Sequence, residues 1–262
     1  MTWRSNSCAI KIFAHRGASE VYPENTMLAF YESEKAGADG IELDVLQTRD
    51  SRAVVVHDEN LERLSGQSLW VKDLTWDELS AINIAAHFPE HDPQQVPALD
   101  DVLDWILTTS LEVNIELKNS DTPIPGLEED VLRLIDARKM RHRVIVSSFS
   151  LESVICMKKL APDLRCGYLV KRPTRADLRR AKEHNIDAIH PHIFNVYRPG
   201  FTRSLLRLGF AVRYWTATTE RQYRTASRQN ATAIIVNDPA QARAILSKSS
   251  FSSKKRGVFR RF

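Results

Sequence analysis

The chain has 262 residues, 43% of them hydrophobic and 27% charged, which gives one large α/β domain ample core and excludes a disordered chain. No apolar run approaches the ~18 residues of a membrane span, and the start, MTWRSNSCAIKIFAHRG, has no long apolar stretch, so neither a span nor a signal peptide is expected. Cys8, Cys156 and Cys166 are too scattered for a disulfide framework or a zinc site, which points to the reduced cytoplasm.

The net charge of +4 is set by one segment. KSSFSSKKRGVFRRF, residues 248–262, carries six cations and no acid, and taking those six away turns +4 into −2. This end is read as a basic, solvated, unstructured tail following a domain at 8–247. Phe251, Phe259 and Phe262 within it offer weak lipid contact; nucleic acid is not an expected partner, and the oligomeric state is not readable.

In chain order, apolar β-rich runs appear as IKIFA, GIELDV, AVVVH, LEVNIEL, RVIVSSF, RCGYLV, AIHPH, FAVRYWTA and AIIVN. Amphipathic patterns separate most of them. Met27, Phe30 and Tyr31 share one helix face, as do Leu99, Val102, Leu103 and Ile106, and Leu127, Val131, Leu134 and Ile135. Further helices fit SLESVICMKKLA, TRADLRRAKEH, GFTRSLLRL, ERQYRTASRQ and PAQARAIL. With AVVVH counted as an addition to the second unit, eight βα units remain, the number and size of a TIM (β/α)8 barrel. A doubly wound sheet is the runner-up, but there is no G-x-G-x-x-G turn. Between His57 and Leu99 the rhythm breaks. This stretch, about 58–98, is read as a small insertion with a short helix at TWDELSAI.

In such a barrel, chemistry gathers at the C-terminal strand ends. His15 and Arg16 end the first strand, and His57 ends AVVVH. Period two puts Glu42 and Asp44 on one strand face, and likewise Glu116 and Lys118; Trp215 lies near the end of a late strand. Three interior carboxylates repel one another unless paired or metal-bound, and an all-oxygen set suits Mg²⁺ or Ca²⁺ rather than zinc. Histidines and cations beside them suit phosphoryl chemistry. Taken singly, each of these residues also has an ordinary structural role; the shared position at strand ends is what singles them out.

The ordered series AHRG, PENT, GADGIELDVLQTRD, VVVHDENLERLSG, VPALDDVL, NIELK, SSFS, YWTAT and VNDP resembles the glycerophosphodiester phosphodiesterases from about Phe13 to Pro239. The resemblance implies a TIM barrel with an insertion after its second strand, and hydrolysis of a glycerophosphodiester to sn-glycerol 3-phosphate and an alcohol. It implies His15 and His57 as the acid/base pair, with neither role assigned to either, and Glu42, Asp44 and Glu116 as ligands of Mg²⁺ or Ca²⁺. Arg16 and Lys118 become phosphate contacts and Trp215 part of the pocket wall. Glu24 is expected to hold Arg16 or a neighbouring loop, and Asn25 or Thr26 to cap the first helix.

Three departures stand out: Ser51 where a glycine is usual after Asp50, Ala217-Thr218 where the late motif usually ends in Val-Asn, and Val236-Asn237-Asp238-Pro239 where the end usually reads Thr-Asp-x-Pro. None is expected to touch the histidines or carboxylates; the last two are expected at the rim, where they bear on substrate preference rather than reaction type. Of His190 and His192, the second is a candidate for the pocket and structural roles are favoured; His87 and His91 are read as exposed. Two other readings compete: a lysophospholipase D-type enzyme acting on lipids, and an inactive binding module of the same fold.

Overall fold

The computed structural model describes residues 9–119 and 122–255. The strands are β1 Lys11–His15, β2 Gly40–Gln47, β3 Ala53–Val55, β4 Glu112–Leu117, β5 Val144–Ser148, β6 Arg165–Val170, β7 Ala188–Pro191, β8 Ala211–Ala217 and β9 Ala233–Val236. Eight of them pair in parallel in the order β1-β9-β8-β7-β6-β5-β4-β2, and a β1–β2 pairing closes the ring. The remaining strand, β3, pairs antiparallel with the end of β2, Val45 against Val55. The barrel and the place of AVVVH in its second unit are therefore as the sequence predicts.

The helices are α1 Met27–Lys35, α2 Glu62–Ser65, α3 Trp76–Ser80, α4 Leu99–Leu107, α5 Leu127–Ala137, α6 Leu151–Leu160, α7 Arg175–Glu183, α8 Phe201–Arg207, α9 Glu220–Arg228 and α10 Pro239–Lys255. Several start on a side-chain cap. Thr26 Oγ1 accepts from the Ala29 amide, and Thr75, Thr174 and Thr219 each form a reciprocal box with the residue three on. Helix α10 runs past position 247, so the first part of the expected unstructured tail is helical. The rest of that segment, 256–262, lies outside the described residues, as does Cys8, while Cys156 and Cys166 are free thiols.

Strand periodicity divides the core. Ile41, Leu43 and Val45 point outward into the helix layer, with Val113, Ile115 and Leu117 of β4. Inside the barrel the apolar cluster is small: Phe13, Ile145, Ala233 and Ile235, with Trp215 against it. Much of the remaining interior is polar, with Glu42, Asp44, Asn114, Glu116, Ser147, His190 and Arg213 all buried. A barrel needs only a packed plug for closure, so interior carboxylates that cost desolvation without adding core point to chemistry above the plug.

The insertion has its own core of Leu61, Leu64, Val71, Leu79, Ile84 and Val96, packed on Leu46, Val54 and Val56. Helix α3 occupies the predicted TWDELSAI. Helix α2 and the 3-10 turn Val71–Asp73 are additional, and α2 bears directly on the site.

Candidate active site

Strand register assembles the polar rim. His15 lies beside Glu42 across β1–β2, and Asp44 beside Glu116 across β2–β4. Ligand oxygens of Glu42, Asp44 and Glu116 all lie within 4.8 Å of one another, and all three residues are buried. Lys118, just past β4, reaches Glu116 Oε1 at 3.1 Å and Asp44 Oδ1 at 3.7 Å.

The chain turns sharply after His15. Arg16 has φ 56° and Gly17 φ 84°, and a Cβ on Gly17 would sit 2.6 Å from the Ala29 Cβ. Only glycine fits this close approach of the turn to α1, which gives the HRG sequence its physical reason. The turn aims the Arg16 amide at Glu42, to the carbonyl at 2.8 Å and to Oε2 at 3.1 Å. Arg16 Nη1 donates to Glu24 Oε1 at 2.9 Å, and its Nε lies 3.2 Å from Asp44 Oδ2. That Nε is buried and faces Asp44 as an ion pair without hydrogen-bond geometry. Asn25 Nδ2 donates to Asp44 Oδ2 at 2.9 Å, while Thr26 caps α1; the PENT element thus divides between the site and the helix start.

Each histidine has its Nδ1 tied. His15 Nδ1 lies 2.8 Å from Asn237 Oδ1, and His57 Nδ1 lies 2.6 Å from Asp58 Oδ1. An amide or carboxylate oxygen can only accept, so each Nδ1 carries the proton, and neither Nε2 has a hydrogen-bond partner among the described residues. The Asn237 contact corrects the expectation that this departure stands clear of the histidines: closure of β9 against β1 brings the two together. Asp58 also accepts from Arg63 Nε at 2.6 Å, and both terminal nitrogens of Arg63 donate to Glu24. A continuous chain therefore runs Arg16–Glu24–Arg63–Asp58–His57, with Arg63 supplied by α2 of the insertion. Sequence reasoning had no part for Asp58 or Arg63, and named Asn237 only as a departure from the usual motif. Asp58, next to His57, was visible as a carboxylate beside a histidine; the other two depend on tertiary packing.

Electrostatics differ across the three carboxylates. Burial, then Asp44 and Glu116, push Glu42 well above the usual carboxylate range. Burial and Asp44 push Glu116 up to about 7. Burial works in the same direction on Asp44, but Arg16, His57 and Lys118 outweigh it and hold Asp44 below its usual value. Burial, with the Arg16 charge, lowers His15 to about 4 and keeps it neutral. The donor set fits a hard divalent ion, being all oxygen, convergent and carrying two carboxylates whose ionisation the protein alone disfavours.

A stability prediction follows. Glu116 titrates near 4.5 unfolded and near 7 folded, so between these values the folded state binds more protons and stability falls as pH rises. A divalent ion competes with those protons. Mg²⁺ or Ca²⁺ should therefore raise Tm more at about pH 8 than at about pH 5. Calorimetry checks this, and equal ion-induced shifts at both pH values would contradict it.

Glu24 holds Arg16 rather than standing over the carboxylates. Glu24→Ala should accordingly cost about tenfold in kcat/KM, and Arg16→Ala about a hundredfold or more, spread over KM and kcat. Steady-state kinetics of the two variants check this; equal losses would put Glu24 in the chemistry.

Trp215 closes another part of the rim. Its Nε1 donates to the His190 carbonyl at 2.7 Å, and its ring meets Phe149 and His192 edge-on, with centroids 5.1 and 5.0 Å apart. His190 is structural. It is fully buried, and Gly167 makes room for its ring, since a Cβ there would come 2.3 Å from Nε2. His192 instead lines a cavity with Trp215. His91 departs from the exposed reading: its Nε2 lies 3.2 Å from the Val21 carbonyl, and its ring stacks on Tyr22 at 5.2 Å. Ser51 has φ 63°, so the usual glycine turn is kept with a serine in a left-handed conformation.

A sequence model of the glycerophosphoryl diester phosphodiesterase family matches residues 15–241. A glycerophosphodiester phosphodiesterase of Caldanaerobacter subterraneus subsp. tengcongensis is 33% identical over 87% of this chain and 94% of its own length. One of Bacillus altitudinis is 35% identical, over 88% and 96%. Among solved structures, a glycerophosphodiester phosphodiesterase from Agrobacterium tumefaciens superposes with a TM-score of 0.78 at 25% identity, covering 90% of this chain and 99% of its own.

Proposed function

The chain belongs to the glycerophosphoryl diester phosphodiesterase family, and from that premise we propose that it hydrolyses a glycerophosphodiester to sn-glycerol 3-phosphate and an alcohol, with His15 and His57 as its acid–base pair. The observation that carries the reading is the convergence of three buried carboxylates, two cations and two histidines with tied Nδ1 atoms at one rim.

Glu42, Asp44 and Glu116 would hold one divalent ion, Mg²⁺ or Ca²⁺. When bound, such an ion supplies positive charge against the phosphodiester and its transition state. Arg16 and Lys118 add fixed positive charge against the same anion. His15 is neutral and offers the Nε2 lone pair, so it takes the proton of the attacking hydroxyl. His57, backed by the Asp58 carboxylate, delivers a proton from Nε2 to the leaving alkoxide. Trp215, with Phe149 and His192, walls the side of the mouth where the alcohol leaves.

Retention of both histidines and all three carboxylates in one geometry favours an enzyme over an inactive module. A cytoplasmic location belongs to this proposal as well; no helix among the described residues is long and apolar enough to cross a membrane.

The test is a panel of glycerophosphodiesters and lysophospholipids scored for product. Release of glycerol 3-phosphate from the soluble diesters is expected. Cleavage of lysophospholipids alone would favour the lipid-acting reading, and no turnover of either would overturn the assignment.

A further inference from the structure

Two surface cavities of similar size differ in their lining charges. One, about 640 Å³, lies at the N-terminal face by Asp136, Arg141, Asp163 and Arg165. Its two arginines are paired with carboxylates, Arg141 with Asp136 and Asp163 at 2.5 Å each and Arg165 with Glu112 at 2.7 Å, and Lys139 and His142 complete its lining. The other, about 590 Å³, is lined by Lys171, Arg172, His192, Phe194, Arg198 and Trp215, with Asn195, and no carboxylate.

This second cavity belongs to the catalytic mouth. Lys171 and Arg172 follow directly on β6, His192 on β7, and Trp215 is on β8; the carboxylates stand across the ring on β2 and β4. No ion pair joins Lys171, Arg172 or Arg198 to a carboxylate among the described residues. Arg198 is steadied instead by neutral groups, donating to Asn195 Oδ1 at 3.1 Å and stacking 4.7 Å over Phe201. Phe194 is 69% exposed on the cavity edge, a large apolar surface that the fold itself does not use. Burial and the Lys171 charge lower the basicity of His192, so the local field is positive. Three cations without counter-charge, around one open space on the same rim as the carboxylates, repel a cationic alcohol and attract an anionic one.

We infer that this cavity is the leaving-group subsite and that it selects glycerophosphodiesters whose alcohol itself carries a phosphate. The inference rests on the phosphodiesterase reading above. In the reaction, the bond from phosphorus to the alcohol oxygen breaks, an oxygen from water ends on phosphorus, and the alkoxide takes one proton. The distal phosphate stays intact and lies against Lys171, Arg172 and Arg198, with the carbon skeleton on Phe194 and Trp215.

The discriminating pair is sn-glycero-3-phosphoinositol and its 4-phosphate, which differ by that one group. The native enzyme should show kcat/KM about tenfold or more higher for the 4-phosphate, with the advantage shrinking as salt rises. The double variant Lys171→Ala/Arg172→Ala should lose most of that advantage while turning over the unphosphorylated substrate within about twofold, which also reports its folding. Equal kcat/KM for the two substrates in the native enzyme, or equal losses on both in the variant, would overturn the subsite and leave the phosphodiesterase reading standing. Failure to hydrolyse either substrate, by a protein that turns over another soluble glycerophosphodiester, would likewise overturn the subsite alone; failure on every diester would strike the phosphodiesterase reading itself.

Discussion

His15→Ala and His57→Ala are each expected to lower turnover by about 10²–10⁴-fold, or about 3–5 kcal/mol of barrier, in a protein that stays folded. Each imidazole sits at the rim, where truncation removes one side-chain hydrogen bond and opens no large core cavity. Both act on one phosphodiester in one turnover, so the double variant should fall little below the worse single one. The proposed roles separate with a leaving group that needs no proton. On a p-nitrophenyl diester of glycerol phosphate, His57→Ala should recover much of its loss and His15→Ala should not. Equal losses of both variants on both substrates would refute the division of roles, and losses below about tenfold would remove the acid–base pair.

Asp44→Asn is the second large effect. The substitution is nearly isosteric, but it takes the charge from the carboxylate that the site keeps ionised. Asp44 is 1% exposed and faces Arg16 Nε at 3.2 Å, Lys118 Nζ at 3.7 Å and Asn25 Nδ2 at 2.9 Å. Without it, two partly buried cations lose a counter-charge and the cluster loses a ligand. Turnover should drop by about 10³-fold or more, roughly 4 kcal/mol, and the rise in Tm on adding Mg²⁺ or Ca²⁺ should disappear. Calorimetry and kinetics on one preparation check both; a variant within about tenfold of native that keeps its ion-induced Tm shift would contradict the carboxylate site.

The barrel was legible because its signals are local. Apolar strands, amphipathic helices and a cap such as Thr26 need only neighbouring residues, and strand period two put Glu42 with Asp44 and Glu116 with Lys118. The partners of the histidines were less legible, for different reasons. Asn237 is 222 positions from His15, and only closure of β9 against β1 makes them neighbours. Arg63 sits on α2, four residues long and too short for a periodic signal, yet it links Glu24 to Asp58. The cation-lined cavity is assembled from the ends of three successive strands; Trp215 was singled out from sequence, but Lys171, Arg172 and Arg198 alone read as ordinary surface charge.

The central claim is that a divalent ion on Glu42, Asp44 and Glu116 is required for glycerophosphodiester hydrolysis. The direct measurement is glycerol 3-phosphate released from one soluble glycerophosphodiester by the purified protein, before chelation, after exhaustive chelation and dialysis, and after adding Mg²⁺ or Ca²⁺ back. The account predicts release before chelation, none after it, and recovery with one of the two ions. Undiminished release from the chelated protein would contradict it.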